Sequence, residues 1–174
     1  MEPFLTWLQN LSLPVWVAES DSIWGYAFAL FVHAVGMGLT AGIAFVICLR
    51  LLGVGVLIPV SSLRGLFRLF WIGFAINLIS GIILFMTDAT GIAHVPVYYA
   101  KLICLALALV TTVQIRAFID SDRSDDEIPP RIRKIAVLSI VLWLGVIATG
   151  RLIAYAVESA GSAASNSEVN AQVV

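Results

Sequence analysis

The chain has 174 residues, 60% hydrophobic and only 12% charged, with a formal net charge of −1 and a mean hydropathy of +1.00. Soluble domains carry about 25% charged residues, so the composition excludes an ordinary soluble domain and indicates a polytopic helical membrane protein. No basic block is present that would track phosphates, which excludes nucleic acid as a partner.

The first segment, "MEPFLTWLQNLS", has Glu2 as its first charge and no Lys or Arg before Arg50. It lacks the basic n-region of a signal peptide and is not expected to be one. Phe4, Trp7, Leu8 and Leu11 recur at helical spacing opposite Glu2, Thr6, Gln9 and Asn10. This pattern predicts a short interfacial helix over 3–12, lying on the outer leaflet or capping the bundle. Pro14 is expected to separate it from the first span, with Asp21 or Ser22 as that span's N-cap.

Four apolar spans follow, at about 23–49, 66–87, 97–119 and 135–157. Each exceeds the ~20 helical residues needed to cross ~30 Å of hydrocarbon. The expected fold is therefore all-α: a single integral membrane four-helix bundle over 1–158. The loop 120–134 reads as a solvated connector and the small, polar tail 159–174 as disordered.

Eight of the ten basic residues flank the first and third connections: Arg50, Arg64 and Arg68, then Arg116, Arg123, Arg131, Arg133 and Lys134. Lys101 and Arg151 are the two toward the other side. The positive-inside rule then makes both connections cytoplasmic and both termini periplasmic, in a bacterial inner membrane. Cys48 and Cys104 fall at opposite depths, which precludes a disulfide and leaves them as packing residues.

Ionisable groups at membrane depth are costly and mark functional sites by default. Counting ~1.5 Å per residue from each span's outer end places His33 roughly 13 Å down, Arg151 roughly 9 Å and Lys101 roughly 6 Å. Asp88 and His94 sit at the outer boundary, and Asn77 lies near the middle of the second span. One reading is a haem b ligated by His33, with His94 as second axial ligand if the outer loop folds inward. Lys101 and Arg151 would neutralise the propionates, Tyr155 and Asn77 would support the site, and Gly36, Gly38 and Gly42 would give the macrocycle room. A second reading is copper, held by His33 and His94 with the thioethers of Met37 and Met86. A third is structural: His33 hydrogen-bonds a neighbouring helix through Asn77, Ser80 or Tyr155, and the Gly38/Gly42 pair packs helices or a second copy of the chain. No GxSxG, HExxH, Walker or GxGxxG motif supports hydrolase or nucleotide chemistry.

Three segments carry a resemblance: "HAVGMGLTAGIAFVICLRLLG" (33–53), "VPVYYAKLICLALALVTT" (95–112) and "SIVLWLGVIATGRLIAY" (139–155). They resemble a family of uncharacterised small bacterial four-helix membrane proteins. That family is distantly similar to the membrane part of the copper-resistance protein D group and to membrane cytochrome b electron carriers. The resemblance implies a haem-binding or copper-related role in electron transfer or sensing rather than catalysis on a substrate. It matches His33, Lys101, and Arg151 with Tyr155 to the family's positions. A redox partner protein or a quinone would then join the bilayer and a second copy among the expected partners. Membrane cytochromes pair histidines on facing spans, whereas His94 here lies in a loop.

Overall fold

In the computed structural model, residues 2–20, 22–121 and 128–172 are described, and among them the chain is all-helical. Two short helices, α1 (Glu2–Gln9) and α2 (Ser12–Glu19), precede the long α3 (Tyr26–Leu51). A 3₁₀ turn (Val60–Gly65) leads into α4 (Leu66–Thr87), the short α5 (Ala89–Ala93) leads into α6 (Pro96–Ile119), and α7 (Pro130–Gln172) closes the chain. Four of these helices are long and apolar enough to cross a membrane, which fits a multi-pass membrane protein. Only 22–33% of the most apolar window of each is buried inside the bundle. The remaining apolar surface faces outward, as a bilayer requires and water does not allow.

Local chemistry sets the boundaries. Gly53 takes a φ of 102° just past α3, where the Val54 amide donates to Leu49 O at 3.0 Å and the Gly53 amide to Arg50 O at 3.1 Å. This pair of bonds is a Schellman stop, which the left-handed φ of Gly53 permits. Arg50 then draws the connection back over the helix end, donating to Ile58 O at 2.6 Å and Val56 O at 3.2 Å. Asp88 links α4 to α5 by accepting from the Gly91 amide at 3.2 Å. Pro96 and Pro130 each occupy the first position of a helix, where the missing N–H costs nothing.

The N-terminal region differs from the single helix 3–12. The chain breaks at Asn10–Leu11, and Pro14 lies in the first turn of α2, where proline is tolerated, instead of acting as the separator. Gly25, which has no side-chain cap, precedes α3; the Ser22 hydroxyl accepts from the Trp24 amide at 3.3 Å and shapes the turn before it, while Asp21 lies outside the described residues. At the other end, α7 does not stop with the apolar span. It continues to Gln172 through the segment expected to be disordered, where Ala160, Ala163 and Ala164 favour helix. Residues 122–127 of the charged connector lie outside the described residues.

The bundle is assembled from two antiparallel pairs, α3 with α4 and α6 with α7, joined through α3 and α7. The fourth side, between α4 and α6, is bridged by side chains: Phe85 stacks on Tyr98 near one end, and Arg116 lies over Phe67 near the other. We call the end bearing α1, α2 and α5 the cap end, and the opposite end the arginine end. The core belongs to the arginine half. Ile47, Leu51, Phe67, Phe70, Ile115, Ile119, Trp143 and Val146 are buried there, with Phe70 edge-on to Trp143 at 5.8 Å. In the cap half, α3 before Gly36, α4 after Ser80, α6 before Ala108, and α7 from Ile147 to Val157 bury no residue.

Candidate functional site

His33 sits where α3 presses against α4. Its Nδ1 lies 3.0 Å from the carbonyl oxygen of Asn77 and 3.1 Å from Ser80 Oγ. A carbonyl only accepts, so Nδ1 carries the proton. The Ser80 hydroxyl donates to Ile76 O at 2.7 Å, leaving its lone pairs toward the ring. The Asn77 amide donates to His33 O at 2.9 Å, so the two residues are joined in both directions. In the neutral ring this fixes the tautomer with a lone pair on Nε2, which has no hydrogen-bond partner among the described residues.

The close approach is made by Gly36, expected to give room, and by Gly73 and Gly81, which the sequence reading did not single out. A Cβ on Gly36 would come within 2.7 Å of the Asn77 backbone nitrogen. One on Gly73 would meet Leu39 and Thr40 at 3.0 Å, and one on Gly81 would meet His33 Cε1 at 3.0 Å. Gly73, Asn77 and Gly81 recur every fourth residue along α4, facing His33, Gly36 and Thr40 on α3. That Gly-xxx-Asn-xxx-Gly spacing is the sequence signal that locates the contact. Gly38 and Gly42 have open space where a Cβ would go, so they make no helix contact within the bundle.

Lys101 is half-buried on α6, its Nζ 3.7 Å from where a Gly150 Cβ would stand. One turn deeper, Cys104 Sγ lies 3.3 Å from the Cβ position of Gly145. Both side chains therefore lie against glycines of α7. His33, Asn77, Ser80 and Lys101 form the polar group of the cap half.

The other expected members lie elsewhere. Arg151 and Tyr155, one turn apart on α7, are both exposed, Tyr155 at 61%, and have no polar partner among the described residues. The face of the helix on which they lie was not legible in the sequence. His94 follows α5 with both ring nitrogens engaged, Nδ1 2.6 Å from Thr90 O and Nε2 3.1 Å from the Glu2 carboxylate. Its side chain is 67% exposed, so it serves as an anchor for α1 rather than a partner of His33. Gln9 reinforces that anchor through Thr90 Oγ1 at 3.0 Å. No group of three or more His, Cys, Asp or Glu side chains is arranged to hold a metal ion among the described residues.

With four apolar helices and a polar group inside them, the class is a small four-helix membrane protein. Residues 7–156 match a family of unknown function (DUF6644), and the chain belongs to that family. No curated protein and no solved structure matches it.

Proposed function

We propose that this chain is a membrane-embedded binding protein whose cap half holds one haem b through His33, for electron transfer or haem-based sensing. The observation that supports it is the oriented imidazole. Histidines that ligate metals as a rule donate their other ring N–H to a backbone carbonyl or carboxylate, which fixes the tautomer and raises ligand basicity. His33 makes such a bond to Asn77 O and keeps Nε2 without a partner among the described residues. Few side chains are buried in the half of the bundle around it, and Lys101 supplies a cation suited to a propionate. Haem supplies a one-electron couple and asks for one protein nitrogen here. Copper asks for His94 as well, which Glu2 and Thr90 already hold.

By the charge asymmetry, the arginine end faces the cytoplasm and the cap end the periplasm, in an inner membrane. The haem would then lie near the outer face, within reach of a redox partner or a membrane quinone. A second reading, that His33 only ties helices together, is favoured by the reciprocal Asn77 bonds.

Reconstitution of the purified full chain with hemin separates the two. The expected result is a Soret band that is lost in His33→Ala, regained with added imidazole, and retained in His94→Ala. A folded chain that binds no hemin stoichiometrically overturns the haem reading. In that case His33→Ala lowers stability by about 1 kcal/mol, the scale of one interhelical polar contact in a membrane.

A further inference from the structure

The arginine end holds a site with no part in the reading above. A cavity of about 640 Å³ opens on the seam between α4 and α6. It is an open groove lined by Arg64, Arg68 and Arg116 toward the helix ends and by Phe67, Trp71, Ile72 and Ala75 further along. The sequence explains the arrangement. Residues 64, 68, 71, 72 and 75 fall at the spacing of one helical face, running from cationic at the helix start to apolar one and two turns further along. Arg116 reaches the same space from the last turn of α6, its guanidinium stacked over the Phe67 ring at 5.8 Å.

The mouth is built rather than incidental. Arg64 donates to Ile119 O at 3.0 Å, so the 3₁₀ turn is tied to the end of α6 across the seam. Asp120 is the one carboxylate at this mouth among the described residues, 3.4 Å from Arg116 Nε and 3.9 Å from Arg64 Nε. Arg68 has no polar partner among the described residues. Three guanidinium groups thus face one carboxylate. Even with the acids of 120–127 counted, this end carries eight basic against five acidic residues.

We propose that this cavity binds the phosphate of an anionic phospholipid, with Arg68 as the principal contact and the acyl chains lying along Trp71, Ile72 and Ala75. A guanidinium fork matches phosphate oxygens in pairs, and an apolar wall directly beneath a cationic rim fits an amphiphile better than a free ion. The site depends on neither His33 nor haem.

Native mass spectrometry of the detergent-solubilised full chain tests it. Phosphatidylglycerol is titrated against phosphatidylcholine of the same acyl chains, with Arg68→Ala and Arg133→Ala compared with the unaltered chain. Phosphatidylglycerol is expected to bind preferentially, with affinity falling about fivefold in Arg68→Ala, the share of one basic residue at a membrane surface. Arg133, at the same end but outside the cavity, serves as the charge control, and Arg133→Ala is expected to bind as the unaltered chain does. Equal binding of the two lipids, or equal loss in both variants, overturns the proposal. So does displacement of phosphatidylglycerol by inorganic phosphate at constant ionic strength, which would make the ligand the free anion. Circular dichroism checks that each variant keeps its helices.

Discussion

The two halves of the bundle are built on different principles. In the arginine half, large side chains from all four spans are buried in one core: Phe70 meets Trp143 edge-on, and Leu51, Ile115 and Ile119 belong to the same cluster. In the cap half, the four spans bury little beyond Gly36, Asn77 and Ser80, and their contact is a tight glycine-mediated approach of α3 and α4 with polar bonds across it. Lipid offers no hydrophobic reward for bringing helices together, so association must come from dispersion or from hydrogen bonds at close range. The first half uses dispersion and the second uses hydrogen bonds. The polar group lies in the half with few buried side chains, and the packing of large side chains is concentrated at the other end.

That division predicts where truncation hurts most. Trp143→Ala removes the largest fully buried side chain and is expected to cost about 3 kcal/mol in denaturant or SDS titration, the usual scale for a buried aromatic. Leu144→Ala, next along the helix but 52% exposed, is expected to cost under about 1 kcal/mol. Equal costs would show that the buried side chains of the arginine half do not carry the stability assigned to them.

The next largest effect sharpens the contrast between glycines on a single helix. Gly36→Ala drives a methyl to within 2.7 Å of the Asn77 backbone and must separate α3 from α4, at about 2 kcal/mol. Gly38→Ala meets nothing and removes a flexible residue from a helix interior, so it is expected to stabilise by about 0.5 kcal/mol. The same substitution, two residues apart, should have opposite signs.

The sequence made the spans legible because an apolar run of such length has few alternatives. Span starts fell close to the observed ones, with Pro96 and Pro130 setting the finer positions. Position along each helix follows from the residue count, and Asn77 and Ser80 were among the partners expected for His33. What could not be read was rotation. A membrane helix is apolar on its inner and outer faces alike, so periodicity does not tell that Arg151 and Tyr155 lie on the outward face of α7. For the same reason Gly38 and Gly42 looked equivalent to Gly36. Only the matching stripe on α4, Gly73, Asn77 and Gly81, distinguishes them, and it requires reading two spans against each other.

The smallest expected effect concerns the lid on the cap half. Glu2 and His94 approach to 3.1 Å, but their side chains are 64% and 67% exposed, and an ion pair so placed contributes little to global stability. Glu2→Gln is therefore expected to leave the denaturation midpoint of the bundle unchanged within about 0.5 kcal/mol. Its effect should be local, because α1 is held to α5 by this pair and by Gln9 with Thr90, and α1 itself buries no residue. Hydrogen exchange of the α1 amides should quicken in Glu2→Gln while those of α3 and α4 beside His33 stay as they were. If exchange at His33 quickens as well, the cap and the polar group behind it open as one unit, and the cap half is a single gated compartment rather than a site with an independent cover.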